Sequence, residues 1–261
     1  MSKLFCLVTL MTLLTFSARA EDINLTADEK VEWHQNEQKI VAVGNAVASK
    51  KDLSVRADKM TAFYKENPNG GDNKTSIDVV YAAGNVKMHS PKADAFGETL
   101  DYDLTADKMV LRGRPAKIKT DQDTITAEDS ITYYPGSQKA VANGNVVGVS
   151  KDNKVYADQM ISYFEKNAAG QMEMKRVEIF GHVKISTPKA DVTAEKGLYL
   201  PQTGIVKLFN NVEITQNGNI LKGDYAETDL NTGISRLVSQ KSNRGRVTGV
   251  FKEKSKSDEK K

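Results

Sequence analysis

Around Gly181 the chain reads Val177-Glu178-Ile179-Phe180-Gly181-His182-Val183-Lys184-Ile185, with apolar and polar positions alternating on both sides of the glycine. Alternation with a period of two places one face of an extended segment in a core and the other in water. The same period runs through Val206, Leu208, Val212 and Ile214, with Lys207 and Glu213 between them, and through Val86 and Met88 around Lys87. Helical spacing fits these stretches poorly, and Gly, Asn and Pro interrupt them too often for helices. The pattern predicts an all-β chain whose glycines mark bends or bulges.

The strand pattern is also repetitive. Val41–Val47 reads VAVGNAV and Val141–Val147 reads VANGNVV; over 40–66 against 140–166 there are 11 identities without a gap. Beyond this the offset shortens to 97, where Ser90-Pro91-Lys92-Ala93-Asp94 matches Thr187-Pro188-Lys189-Ala190-Asp191. Two tandem units follow, about 40–139 and 140–236, within a β region spanning 21–250. Inside each unit a turn element recurs at Gly44, Gly84, Gly113, Gly144, Gly181 and Asn210, about 33 residues apart on average. Thirteen or fourteen residues after each comes a small residue and an acid: Ala57-Asp58, Gly97-Glu98, Ala127-Glu128, Ala157-Asp158, Ala194-Glu195 and Gly223-Asp224, with Ala27-Asp28 as an incomplete seventh copy. A residue that recurs with the structural period serves the repeat, so these acids are expected at the surface or pairing at corners rather than forming a catalytic pair. Two turn-rich loops, Glu66–Lys74 and Glu165–Met174, sit at matching places.

Composition narrows the setting. Of 261 residues, 39% are hydrophobic and 27% charged, which suits a folded chain with a sizeable core. The net charge of +3, with basic residues scattered among acids, gives no field that argues for nucleic acid. Lys3, the apolar stretch Leu4–Phe16 and Ala18-Arg19-Ala20 together have the form of a secretory signal cleaved after Ala20, so residues 1–20 are expected to be removed. Cys6, the one cysteine, would leave with it, and the mature chain would hold together by packing and backbone pairing alone. Residues 251–261 (FKEKSKSDEKK) have no apolar period and are expected to form a charged, disordered tail.

Candidate chemistry is sparse. His34, His89 and His182 stand in no ligand spacing, so no metal is expected. No nucleophile elbow, P-loop or dinucleotide fingerprint is present, and neither catalytic residues nor a cofactor are expected.

The signal, the strand repeats with V-x-x-G-N-V and the V-x-A-D-x-M that follows, clearest in Val41–Met60 and again in Val141–Met160, resemble the OstA-like family. This family holds the periplasmic lipopolysaccharide-transport proteins of LptA type, their relative LptC and the N-terminal domain of LptD. The likeness covers about residues 23–236 and is strongest to the LptA type. It implies an open, twisted antiparallel β-jellyroll of stacked strands, lengthened here by the internal duplication. It also implies a periplasmic carrier that takes lipopolysaccharide acyl chains in an apolar groove from the inner to the outer membrane. Covering acyl chains matters because each exposed CH₂ costs about 0.8 kcal/mol in water.

On that reading the groove is lined by Val86, Met88, Ile118, Val146, Val183, Ile185, Val212 and Ile214, with Val55, Ile125, Val155, Val192 and Leu221 from the second strands. About eight rungs at ~4.8 Å would give a body near ~40 Å. Unpaired strands at the two ends invite addition of another chain. Ile23 and Leu25 would lie at one joining edge, and Ile234, Leu237 and Val238 at the other. The implied partners are lipopolysaccharide, an LptC-like inner-membrane protein, an LptD-like outer-membrane protein and further copies joined head to tail. The alternative is a structural or adhesive β-repeat scaffold with a dry core and no lipid ligand. A polysaccharide-active enzyme on a β-helix is a third reading.

Overall fold

The computed structural model describes residues 23–66, 75–168, 170–232, 234–239 and 246–251. The expected signal segment, most of the Glu66–Lys74 loop and the tail beyond Phe251 lie outside the described residues.

Strands β1 (Asn24–Thr26), β2 (Lys30–His34), β3 (Lys39–Lys50), β4 (Leu53–Glu66), β5 (Thr75–Ser90) and β6 (Ala93–Asp103) follow one another, each antiparallel to the next rung. The middle of the chain holds four short strands, β7 (Lys108–Arg112), β8 (Ala116–Lys119), β9 (Asp123–Ala127) and β10 (Ser130–Tyr134). Long strands then resume as β11 (Lys139–Ser150), β12 (Asn153–Lys166), β13 (Met172–Ser186), β14 (Asp191–Leu200), β15 (Ile205–Gln216) and β16 (Asn219–Asp229), and β17 (Ser235–Val238) and β18 (Thr248–Val250) close the order. Every pairing is antiparallel.

Each long strand runs through both halves of one folded sheet. In β3 the register breaks between Val43 and Ala46: residues before the break pair with β2, and those after it pair with β1. Gly44 and Asn45 at the break both have positive φ, +84° and +46°. The same pairs of left-handed residues interrupt β5 at Gly84-Asn85, β11 at Gly144-Asn145, β13 at Gly181-His182 and β15 at Asn210-Asn211. An extra residue in one strand bends it, so each such site folds the sheet. The result is a β-jellyroll of two walls joined along a crease. Wall A holds β2, β7, β10 and β17 with the crease-proximal segments 39–43, 59–66, 75–83 and their repeats. Wall B holds β1, β8, β9 and β18 with 46–50, 53–57, 86–90 and their repeats.

Following the pairings from β1/β2 to β17/β18 gives 14 V-shaped rungs, and ~4.8 Å per step makes a body about 62 Å long. The expectation of about eight rungs was too low. The Gly-Asn turn marks only alternate rungs, and the small-plus-acid pair marks the rungs between. One 33-residue period therefore spans two rungs.

The two sequence signals meet at the crease. Val86 lies opposite Gly97, Val146 opposite Ala157, Val183 opposite Ala194 and Val212 opposite Gly223. The crease is narrow: a Cβ at Gly97 would come within 2.5 Å of the Arg112 carbonyl oxygen, so only a small residue fits opposite each valine. The acid that follows points out and accepts a hydrogen bond from the bulge residue of the next rung. Asn45 donates to Asp28 (3.1 Å), Asn85 to Asp58 (2.9 Å), Asn145 to Glu128 (2.6 Å) and Asn210 to Glu195 (3.0 Å). At Gly181-His182 the histidine takes the asparagine's place, its Nδ1 2.9 Å from Asp158. Five of the repeated acids, Asp28, Asp58, Glu128, Asp158 and Glu195, are thus corner-pairing groups.

Candidate functional site

Between the walls lies a continuous apolar interior running from Ala42 to Ala226. Of the residues expected to line a groove, Val86, Val146, Val183 and Val212 sit at the crease, where they are at most 2% exposed. Met88, Ile118, Val155 and Ile185 are buried further along wall B, and Val55, Ile125, Val192 and Ile214 are half-buried against the same core. Leu221 is half-buried near the last rung, beside the position that a Cβ on Gly249 would take. All of these residues belong to wall B. The facing wall was missed: Met60, Leu100, Leu111, Ile131, Tyr133, Met160, Ile179 and Leu208 are among its buried side chains. Burial there pushes the Tyr133 phenol up to about 12, with Asp107 and Tyr102 adding to the shift. The alternation Met160-Ser162-Phe164 and Met172-Met174 carried the signal for this wall.

Near mid-length, a partly enclosed cavity of about 40 Å³ separates the walls. Wall B contributes Ile118, Thr120, Asp123 and Ile125, and wall A contributes Ile131, Ala140, Ala142, Met160, Ser162, Phe164 and Met174. Of the expected lining residues only Ile118 and Ile125 border it. Water needs roughly 10–15 Å³ per molecule on such a measure, so the cavity holds about three carbon-sized groups. Along the edges far from the crease, no strand pairing joins the two walls among the described residues.

Asp123 is the charged group of this cavity. It opens β9 after a tight turn in which its backbone N–H donates to Thr120 Oγ1 (2.9 Å) and its carbonyl accepts from the Thr120 N–H (2.9 Å). The residue is only 5% exposed, and its Oδ1 has no hydrogen-bond partner. Burial pushes its carboxyl above the usual aspartate range, opposed by a hydrogen bond with Ser150 and the charge of Lys151.

The ends differ from the middle. Among the described residues β2 pairs only with β3 and β17 only with β16. At the first rung Trp33 is 66% exposed, and Ile23 and Val31 are each 50% exposed; Leu25 is half-buried against the core. At the last rung Ile234, Val238, Val250 and Phe251 are exposed, and Leu237 packs partly on the core. The five residues expected at joining edges therefore lie in or beside the terminal rungs.

Other chemistry is accounted for locally. His34 lies 3.4 Å from Glu32 and His89 2.6 Å from Asp94, and no group of metal-binding side chains gathers among the described residues. No helix among them is long and apolar enough to cross a membrane.

Comparison with known proteins gives one family. The family described as LptA/(LptD N-terminal domain) LPS transport protein matches the chain twice, over residues 24–139 and 129–234. Among solved structures, LptH from Pseudomonas aeruginosa, described as the LptA-homologous periplasmic component of the conserved lipopolysaccharide transport device, is similar at 19% identity and a TM-score of 0.43, covering 50% of this chain and 95% of that one. No curated protein matches the chain.

Proposed function

The chain belongs to the LptA/LptD N-terminal-domain family of lipopolysaccharide transport proteins, and on that footing we propose that it is a periplasmic bridge carrying lipopolysaccharide acyl chains between its two walls from the inner to the outer membrane. The family is one of transporters, not enzymes. The observation that carries the reading is the double family match on a chain whose facing apolar walls run unbroken through both matched segments. Acyl chains would pass along the interior while sugars and phosphates stay outside the parted edges. The residues 40–139 and 140–236 would act as equivalent units.

Partners would join at the ends. An LptC-like protein would pair at one terminal rung and an LptD-like protein at the other, with further copies adding head to tail. The middle of the chain supports a definite geometry for the last of these. By sequence offset and pairing, β9/β10 is the internal counterpart of β1/β2: Ile131 opposes Ala142 as Val31 opposes Ala42. Likewise β7/β8 stands on β6 as β17/β18 stands on β16, with Leu111 opposite Leu100 and Leu237 opposite Ala226. Inside the chain Ile131 faces Leu111, Thr132 faces Val110 and Tyr133 faces Met109. Carried to the ends, this register sets Val31 against Leu237, Glu32 against Arg236 and Trp33 against Ser235 of the next copy. The exposed Val31 and Trp33 would then be covered as Ile131 and Tyr133 are, both 5% exposed or less.

The tight crease favours the alternative, a scaffold with a dry core. Titrating the purified chain with lipopolysaccharide beside a neutral phospholipid, with native mass read throughout, separates the two. Saturable binding that prefers lipopolysaccharide is the expected result; a folded chain that binds neither lipid is a scaffold.

A further inference from the structure

We propose that the mid-length cavity recognises an acyl chain carrying a hydroxyl group, whose O–H donates a hydrogen bond to Oδ1 of Asp123. The proposal rests on the carrier reading and names the chemistry that one point of the interior would select.

The walls of the cavity fix most of the ligand. Ile118, Ile125, Ile131, Met160, Phe164 and Met174 offer only apolar contact, so whatever enters is largely hydrocarbon. Asp123 fixes the remainder. A buried carboxyl oxygen with no partner is unfavourable, and natural interiors leave few such atoms unexplained. Among the described residues this is the buried side-chain oxygen left without a partner. The other repeats do not need it. The residues that open the equivalent wall B segments are Leu53, Ala93, Asn153, Asp191 and Asn219, and of the buried ones among these Ala93 carries no polar side chain while Asn153 remains neutral. An acid at this position is therefore not a requirement of the turn, which Ser90 and Ala93 form with the same side-chain-to-backbone bonds (2.9 and 3.2 Å).

The donor is best a neutral one. A carboxylate accepts and cannot donate, so the ligand must bring the hydrogen. Lys151 already places a positive charge near the carboxyl, which disfavours a second cation, and an ammonium would lose its hydration among the apolar walls. A hydroxyl on an otherwise apolar chain meets both conditions. The Ser162 and Thr120 hydroxyls also border the cavity, one from each wall.

The test uses the purified chain and a series of 14-carbon fatty acids: tetradecanoic acid and its monohydroxy isomers with the hydroxyl at different positions. Binding is read by calorimetry and native mass. One or more hydroxylated isomers should bind at least tenfold tighter than tetradecanoic acid, the size expected of a hydrogen bond to a charged group. Asp123→Leu should bring that ratio to about one, and Asp123→Asn, which keeps an acceptor but not the charge, should lower it partway. Should the Leu variant fail to fold, the wild-type ratio together with the Asn variant decides. Equal binding of all isomers by the wild-type chain overturns the proposal and leaves the carrier reading standing. A preference that survives unchanged in the Asn and Leu variants also overturns it, because the hydroxyl is then recognised elsewhere. If no 14-carbon acid binds at all, both the carrier reading and this inference fall.

Discussion

Single residues decide whether the sheet can fold along its crease. At Gly144 the backbone is left-handed (φ +81°) and a Cβ would stand 2.5 Å from the Asp129 carboxyl carbon, so Gly144→Ala adds a clash to an unfavourable conformation. The expected loss is about 2–3 kcal/mol, seen as a lower urea midpoint at unchanged slope. Gly170 has the same handedness (φ +76°) but open space around it, and Gly170→Ala should cost only about 1 kcal/mol. Equal losses at the two sites would mean that the crowding at the crease is not what constrains it. Asp123 acts in the opposite sense to most acids. Because burial raises its folded pKa above the unfolded value, its contribution is fully present below the ordinary aspartate range and is lost as pH rises through the folded pKa. Asp123→Asn should therefore melt with the wild type near pH 3. By pH 7 it should melt higher, by roughly 2–4 °C if the unpaired charge costs about 1 kcal/mol. A constant gap across that range would show that the carboxyl ionises as freely in the fold as outside it.

At the level of strands, the internal rungs are a template for the free ones. If copies join as the middle of the chain pairs, Glu32→Cys and Arg236→Cys, mixed as two single variants, should form a disulfide-linked dimer on mild oxidation. Directly opposed residues bring their Cβ atoms to about 4.5–5.5 Å, near disulfide reach. Glu32→Cys with Leu237→Cys, one residue out of register, puts the thiols on opposite faces and should not link. Linking of the second pair in preference to the first would replace the register derived from β7 and β10. Much of this geometry was readable in the chain. The Gly-Asn turn and the small-plus-acid pair are local in sequence and have local causes, a left-handed bulge and a narrow crease, so their spacing mapped directly onto alternate rungs. Wall B was legible for the same reason, as its strands flank the glycines and alternate cleanly. Wall A was not, because segments such as Ser130–Tyr134 and Lys108–Met109-Val110-Leu111-Arg112 carry apolar residues on consecutive positions and their inward face is set only by pairing across the sheet. Asp123 was hidden altogether: Thr120-Asp121-Gln122-Asp123 reads as a polar turn, and only the fold, which sets it on one cavity with Met160, Ser162 and Phe164 of β12, makes that acid an interior group.

For the whole molecule, the number of rungs sets both its length and the way its ends can meet. Antiparallel stacking reverses direction at each step. With 14 rungs the last, β17 then β18, runs from wall A to wall B, and the first, β1 then β2, runs from wall B to wall A. The two ends can therefore continue one antiparallel ladder, as β7/β8 and β9/β10 do within the chain. Any even change in rung number preserves this match, and any odd change would force a parallel joint with mismatched hydrogen bonds. Deleting residues 40–139 joins Lys39 to Ala140, which the 100-residue offset makes the counterpart of Ile40, and removes the six rungs from β3 through β9/β10. The remaining eight rungs keep both terminal rungs and the crease motifs of the second unit. This shortened chain should fold as an all-β protein and still assemble end to end. The axial repeat of its assemblies in negative-stain images should fall from about 67 Å to about 38 Å, at ~4.8 Å per rung. An unfolded product would mean that the two halves are not interchangeable units, since the second could not replace the first on β2. A folded product that no longer joins would place the joining surface in the deleted rungs, away from the ends.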